Sequence, residues 1–191
     1  MKCYGDLLME KEKYKEATYA YIQATKYASE DEKLFYKLGV GYSRINEFPL
    51  AKKCFEKTVE INSNNYNAYY RLGQIALLYR DIELAEKNFL QSMYGETEGK
   101  SYLQLAKIYL IKNDKSKAIM FINRAIGYDY NYYEIALNEP IFIPITNQIV
   151  KPEKDSEPST NESAEEKSIS EYLDNTYDLT KILNEKESKK K

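Results

Sequence analysis

The chain has 191 residues, of which 43% are hydrophobic and 30% are charged, and its formal net charge at pH 7 is −2. This length suits one domain with an extension, and the near balance of charges argues against a general attraction to nucleic acid. Histidine is absent, and the two cysteines, Cys3 and Cys54, have neither the number nor the spacing of a disulfide framework or a metal site. We interpret both as free thiols in a reducing compartment, and we expect no metal and no cofactor.

The beginning of the chain lacks the features of a secretion signal. Met1 is followed by Lys2-Cys3-Tyr4-Gly5-Asp6 rather than by a basic stretch and an apolar run. No segment reaches the roughly 18 uninterrupted apolar residues of a membrane helix, so we expect no membrane span and a cytoplasmic protein. The first helix nevertheless starts in mid-pattern without an N-cap residue, so a second expectation is that the chain is cut from a longer parent.

Residues 1–130 carry one pattern four times, with a period of 34 residues that shortens by one before the last copy. Its clearest copy has an aromatic residue and a Leu-Gly pair at Phe35 and Leu38-Gly39, followed by Ala51 and Phe55. Spacings of three, four and seven place such residues on one helical face, so each copy predicts two helices. Small residues at positions 5, 39, 73 and 106 leave room for the large residues at 21, 55, 89 and 122 of the second helix.

This pattern resembles the tetratricopeptide repeat, whose signature is W-x2-L-G-x2-Y followed by A-x3-F. The resemblance implies an all-α fold, a right-handed superhelical solenoid of antiparallel helix pairs that share one core. We place the repeats at about 1–31, 32–65, 66–98 and 99–130. Gly127 is predicted to end the last repeat as a C-cap.

The rest of the chain departs from the pattern. Residues 131–150 are predicted to form capping helices that cover the last apolar face. From Lys151 the sequence is rich in Pro, Ser and Glu, so 151–167 is predicted to be a disordered acidic linker. Helical spacing returns over 168–186, which predicts an amphipathic helix, and 187–191 is a basic, disordered end.

Catalysis is not predicted for this chain. It has no histidine, no Gly-rich phosphate loop, and no Ser or Cys beside a plausible base. The family resemblance instead implies a concave groove lined by the first helix of each repeat. The groove positions that we select combine cations with aromatic and amide side chains and contain no acid: Lys33, Tyr36, Lys37, Arg44, Asn67, Tyr70, Arg71, Gln74, Lys100, Gln104 and Lys107.

The predicted function is that of a protein–protein interaction adaptor or scaffold whose groove binds another protein or an acidic peptide. Alternatively, the apolar groove positions (Leu77, Leu78, Leu110 and Ile111) only pack against neighbouring helices. The carboxylate clamp of one family subclass is not predicted, because Asp6 and Lys37 break its residue pattern. RNA binding is disfavoured, because it requires paired base-reading positions in a basic groove.

Two further alternatives concern the rest of the molecule. The chain could be the interaction or regulatory portion of a larger enzyme or regulator. The tail could also supply the partner, because residues 151–180 contain nine acids and three lysines, a net charge of −6 opposite to that of the groove. Residues 169–183 would then fold as a helix into the groove of their own chain or of a neighbouring chain.

Overall fold

The structure is a computed structural model that describes residues 4–151, and every regular element among them is a helix. The predicted all-α solenoid of helix pairs is therefore confirmed. Four hairpins follow one another: α1 (Tyr4–Glu10) with α2 (Tyr14–Thr25), α3 (Glu32–Arg44) with α4 (Phe48–Ile61), α5 (Tyr66–Leu78) with α6 (Ile82–Ser92), and α7 (Glu98–Ile111) with α8 (Lys115–Tyr128). A short helix α9 (Asn131–Asn138) and a 3₁₀ helix (Pro140–Gln148) complete the array. The predicted linker beyond Lys151, the amphipathic segment and the basic end lie outside the described residues.

The two helices of each hairpin are joined by a turn with one left-handed residue. These residues are Glu12, Asn46, Arg80 and Asn113, which occupy equivalent positions and have φ of 57°, 63°, 58° and 63°. A single residue in this region reverses the chain direction within a few residues. The short turn keeps the two helices of a hairpin antiparallel and adjacent.

Small and large residues meet inside each hairpin as the spacing predicts. A Cβ atom added to Gly5 would lie 2.4 Å from Cε1 of Tyr21, and one added to Gly73 would lie 2.8 Å from Cε1 of Phe89. Tyr21 is 1% exposed and Phe89 is fully buried. The glycines therefore allow the second helix of a hairpin to approach the first.

The hydrophobic core runs through the array in two buried clusters that meet at α5. Ala68, Leu72 and Ile75 join the cluster formed with α1–α4, whereas Tyr70 and Leu77 join the cluster that continues to the 3₁₀ helix. Because α5 belongs to both clusters, it is the central helix of the described residues.

The C-terminal elements close the second cluster. Ile141, Phe142 and Ile145 of the 3₁₀ helix are buried in it, although Pro144 interrupts regular helix geometry there. The prediction that Gly127 is a C-cap is wrong. It lies inside α8, whose C-cap is Asp129, and no glycine within residues 4–151 has a positive φ.

Candidate peptide-binding groove

Two ion pairs mark the face that the first helices of successive hairpins share. Nζ of Lys37 on α3 lies 2.7 Å from Oδ2 of Asp6 on α1. Nζ of Lys107 on α7 lies 2.9 Å from Oε2 of Glu139, which precedes the 3₁₀ helix. One pair joins α1 to α3 and the other joins α7 to the residue before the 3₁₀ helix, so each links residues more than 30 positions apart in sequence.

These ion pairs correct the prediction of a groove that contains no acid. The prediction leaves Lys37 and Lys107 free to bind the carboxylates of a partner. In the structure, each forms an ion pair with a carboxylate of this chain. Asp6 also accepts a 2.7 Å hydrogen bond from the hydroxyl of Tyr21, and this bond fixes the carboxylate in position. The groove is therefore less positive than the predicted set of residues implies.

Arg71 occupies the position of Lys37 one repeat later, where the carboxylate is missing. The residue equivalent to Asp6 in the preceding repeat is Val40, which is buried and carries no charge. Arg71 is only 4% exposed, and it forms no ion pair with any carboxylate of residues 4–151. Its Nη1 donates a 3.1 Å hydrogen bond to Oε1 of Gln74.

Gln74 has an unmet hydrogen-bond donor beside the guanidinium. Its side chain is 2% exposed, and its Nε2 has no hydrogen-bond partner among residues 4–151. Buried polar groups are nearly always hydrogen-bonded, because an unmet donor costs about 1–3 kcal/mol. The described residues therefore provide no acceptor for Nε2 of Gln74 and no carboxylate for Arg71.

Several other predicted groove residues have structural partners. Tyr36 and Tyr70 occupy equivalent positions, and their rings lie 5.6 Å from the ring of Phe55 and 5.5 Å from that of Phe89 respectively. The guanidinium carbon of Arg44 lies 5.2 Å above the ring of Tyr14. These contacts hold the hairpins together, whatever else the side chains bind.

The apolar positions of the predicted set belong to the core. Leu77, Leu110 and Ile111 are buried members of the second cluster, whereas Leu78 is half-buried. The alternative that these residues pack against neighbouring helices is therefore the better description. The remaining predicted residues on the first helices range from exposed to buried: Lys33, Asn67, Lys100 and Gln104.

Sequence reasoning missed the acids that neutralise the groove. The signal for Asp6 was present, since it precedes Lys37 by 31 residues and lies on the same helical face one repeat earlier. Glu139 had no such signal, because its position depends on how the 3₁₀ helix turns back toward α7. Neither acid is in the predicted set of groove residues.

A second concavity lies between the second helices α4 and α6, with α5 as its floor. The cavity has a volume of about 660 Å³, and Tyr69, Leu72 and Ile75 line its apolar base. Its rim carries charges of both signs: Lys52, Lys53, Lys87, Glu56 and Asp81. Because these charges are mixed, the cleft gives no basis for choosing a ligand by charge.

Metal binding and membrane insertion have no structural basis within the described residues. Between residues 4 and 151, no group of three or more His, Cys, Asp or Glu side chains is arranged to hold a metal ion. Over the same range, no helix has both the length and the hydropathy needed to cross a membrane.

The repeated hairpins define a helical-repeat protein. Residues 99–132 match the family model described as tetratricopeptide repeat. The three hairpins before it have the same architecture, so the described residues form an array of hairpins like the one that the family model matches. No curated protein matches the chain as a relative.

Solved structures agree with this assignment at the level of the fold. The crystal structure of MamA has a TM-score of 0.68 and 17% sequence identity, and the match covers 99% of each chain. YrrB, described as a TPR protein with an unusual peptide-binding site, has a TM-score of 0.61 and 17% identity over 79% of this chain and 84% of its own. PilF of Pseudomonas aeruginosa has a TM-score of 0.60 and 18% identity over 76% of this chain and 64% of its own.

Proposed function

We propose that this chain is a protein-interaction module that binds an acidic peptide or partner helix along its first helices, with Arg71 as the anchor. The observation that supports this proposal is the isolation of Arg71. It is a nearly buried cation without a carboxylate partner in residues 4–151, beside the unmet donor of Gln74. YrrB, which has a similar fold, is described as having a peptide-binding site of its own.

The physical argument concerns the cost of an unpaired buried charge. Removing a cation from water costs several kcal/mol unless an anion and hydrogen bonds compensate. A carboxylate would provide both, because the planar guanidinium donates two parallel hydrogen bonds to its oxygens. The ligand group is therefore an Asp or Glu side chain, or a C-terminal carboxylate, that also accepts from Nε2 of Gln74.

An aromatic ring lies beside the guanidinium of Arg71. The guanidinium carbon lies 5.9 Å from the ring centre of Tyr70, which itself packs against Phe89. A charged group held beside apolar surface favours ligands in which acids alternate with large apolar residues. The chain would then bind acidic, amphipathic segments in preference to highly charged ones.

The test measures binding of labelled peptides to the full chain by fluorescence anisotropy. The probes are 15-residue peptides of Leu, Tyr and Glu, compared with the same peptides carrying Lys in place of Glu. We expect the acidic probes to bind and the basic probes not to bind. Arg71→Gln should weaken binding about 30-fold or more, since loss of a buried charged hydrogen bond costs at least about 2 kcal/mol.

Lys53→Gln is the matched control, because it removes the same charge from the exposed rim of the cleft between α4 and α6. Such an exposed charge should change affinity by less than about twofold. Arg71→Gln leaves no carboxylate of the described residues unpaired but removes the hydrogen bond to Oε1 of Gln74, so it should lower the free energy of unfolding by no more than about 1–3 kcal/mol. Equal loss of binding in the two variants, or equal binding of acidic and basic probes, would refute the proposal.

A further inference from the structure

We infer that the outer face of the first hairpin is an interface between two copies of this chain. The face is formed by α1 and α2, at the opposite end of the array from the 3₁₀ helix. In this dimer the two first hairpins meet around a two-fold axis, and α2 of each copy covers α1 of the other. The inference goes beyond the proposed function, because the face contains none of the residues around Arg71.

Two residues of α1 occupy positions that later hairpins bury. Tyr4 is 68% exposed and Leu7 is 44% exposed. The repeat period places apolar residues of α3, α5 and α7 at the same two positions, and each of these is at most 7% exposed: Leu38, Leu72, Ile75, Leu105 and Ile108. The outer face of the first hairpin therefore has the pattern of a buried interface, although no hairpin among residues 4–151 covers it.

In the rest of the array, the second helix of the preceding hairpin covers these positions. Gly41 on α3 stands at the position of Leu7, and a Cβ atom added to it would lie 2.6 Å from Oγ1 of Thr18 on α2. A second helix of a hairpin is therefore the element that fits over Leu7. In the dimer, α2 of the second copy takes that place.

The two ends of the array differ in their apolar surface. At the far end, Phe142 and Ile145 of the 3₁₀ helix are fully buried in the core and close it. A terminal repeat without such a cover needs a polar outer face to stay in solution as a monomer. The first hairpin instead exposes Tyr4, Leu7 and Tyr19, and exposed apolar patches of this kind mark surfaces that bind another protein.

The charge of the first hairpin allows this face to meet a copy of itself. Residues 4–26 contain four acids and four lysines, so their net charge is zero: Asp6, Glu10, Glu12, Glu16, Lys11, Lys13, Lys15 and Lys26. A face with a large charge of one sign would repel its own copy, and this neutral face does not. Lys15 and Glu16 both border it, so a two-fold axis can place Lys15 of one copy near Glu16 of the other.

The shape of the face also suits a second copy. α1 and α2 form an open hollow of about 680 Å³, lined by the buried residues Gly5 and Leu8 and by Tyr19, which is 65% exposed. In the dimer, the Tyr19 ring of one copy fills the hollow of the other and its hydroxyl stays at the solvent edge. Tyrosine is enriched at protein interfaces because it combines an apolar ring with a polar tip. Because this contact is reciprocal, it closes a dimer and does not extend into a filament.

The size of the face sets the expected affinity. α2 has 12 residues, and a helix of this length is about 18 Å long, while two adjacent helices are about 20 Å wide. Each copy therefore contributes at most about 400 Å² in plan. Stable interfaces usually bury about 1,200–2,000 Å² in total, so we expect a weak dimer with a Kd of about 10–100 μM.

The test is sedimentation equilibrium of the full chain between about 5 and 500 μM, a range that brackets this Kd. We expect the wild type to pass from monomer to dimer. Leu7→Lys should raise the Kd about tenfold or more, because each dimer would then bury two lysines in an apolar interface. Leu137→Lys is the matched control, since Leu137 is 42% exposed on α9 at the other end of the array. Its Kd should stay within about twofold of the wild type, because a distant exposed charge is screened.

Tyr19→Lys is a second variant that is compatible with the fold. Lysine already occupies the equivalent positions of the next two hairpins, at Lys53 and Lys87. The variant should keep the far-UV circular dichroism spectrum of the wild type and raise the Kd about tenfold or more. It decides the outcome if Leu7→Lys fails to fold.

Four results would overturn the inference. The first is a wild-type chain that stays monomeric at the highest concentration. The second is equal weakening by Leu7→Lys and Leu137→Lys, because association would then not depend on the first hairpin. The third is a dimer that neither Leu7→Lys nor Tyr19→Lys weakens, because the contact would then lie elsewhere. The fourth is a series of species larger than a dimer that disappears in Leu137→Lys, because the two ends of the array would then stack head to tail.

Discussion

Phe55 on α4 lies so close to Gly39 on α3 that a Cβ on residue 39 would stand 2.7 Å from Cε1 of the ring. Real Cβ atoms almost never approach a carbon this closely, so even alanine at this position displaces a fully buried ring. The packing of α4 against α3 therefore requires a residue without a Cβ atom at position 39, and a stability measurement can test this requirement.

Gly39→Ala should lower the free energy of unfolding by about 1–2 kcal/mol. Overpacking costs about 1–3 kcal/mol, and the better helix propensity of alanine returns up to about 1 kcal/mol. Gly127→Ala is the matched control, because residue 127 is also helical but an added Cβ there would have no neighbour within 4 Å. The free energy of unfolding of the control, measured by urea unfolding, should rise by about 0.5–1 kcal/mol. Similar changes in the two variants would contradict the role of Gly39.

Phe55→Ala should destabilise the chain by about 3–5 kcal/mol, because it empties the centre of the second hairpin. The ring is fully buried and also packs against Tyr36, so the loss includes apolar burial and a cavity. Tyr19→Ala, which removes an aromatic ring that is 65% exposed, should cost less than about 1 kcal/mol. Thermal unfolding followed by circular dichroism distinguishes the two variants. If Phe55→Ala were no worse than Tyr19→Ala, the packing of Phe55 between α3 and α4 would be wrong.

The packing within the hairpins could be predicted because it depends on short-range spacing. Gly39 and Phe55 are only 16 positions apart, and helix periodicity decides which faces meet. The neutralisation of Lys107 by Glu139 could not be predicted in this way, because it depends on how the irregular 3₁₀ helix returns to α7. The lack of a carboxylate partner for Arg71 could not be predicted either. It becomes clear only in comparison with the Asp6–Lys37 ion pair, because Val40 stands at the position of Asp6 one repeat later.

The end of α8 at Gly127 is another feature that the sequence did not predict correctly. A glycine near the end of a predicted helix is usually a left-handed C-cap. Here the helix continues through it to Tyr128 and ends at Asp129, whose N–H bonds to the carbonyl of Ala125. Sequence alone does not distinguish the two cases, because both place a glycine close to the last apolar residue.

The left-handed turn residues offer a stabilising change. Glu12 has a φ of 57°, where a non-glycine residue costs roughly 1–2 kcal/mol and asparagine costs less. Glu12→Asn should therefore raise the free energy of unfolding by about 0.5–1 kcal/mol. The reverse change at an equivalent turn, Asn113→Glu, should lower it by a similar amount. Urea unfolding of both variants is the measurement, and changes of the same sign would refute this explanation.

A hydrogen bond from Tyr109 on α7 to Glu86 on α6 predicts that the stability of the fold depends on pH. Its hydroxyl donates a 2.5 Å hydrogen bond to Oε1 of Glu86, and its ring stacks on Phe121 with an interplanar angle of 3°. Burial, followed by the hydrogen bond to Glu86, raises the pKa of Tyr109 to about 12. Burial alone would raise the pKa of Glu86, but hydrogen bonds from Lys112 and Tyr109 outweigh it and lower that pKa below its ordinary value of 4.5.

The two groups stabilise the fold over different ranges of pH. The folded pKa of Tyr109 is above its unfolded value near 10, so its contribution is complete below pH 10 and is lost as pH rises through 12. The folded pKa of Glu86 is depressed, so its contribution is present above pH 4.5 and is lost as pH falls through the lowered value. The hydrogen bond between them is therefore fully effective at neutral pH.

Tyr109→Phe keeps the ring against Phe121 and removes only the donor to Glu86. At pH 7 we expect a loss of about 1 kcal/mol in the free energy of unfolding. Relative to the wild type, this loss should shrink as pH rises above 10 and disappear near pH 12, because the wild-type hydroxyl then gives up its proton. Urea unfolding at about pH 7, 10 and 11.5 measures the difference, with Tyr79→Phe, whose ring is 56% exposed, as the control. A difference at the highest pH as large as that at neutral pH would show that the hydrogen bond to Glu86 is not its source.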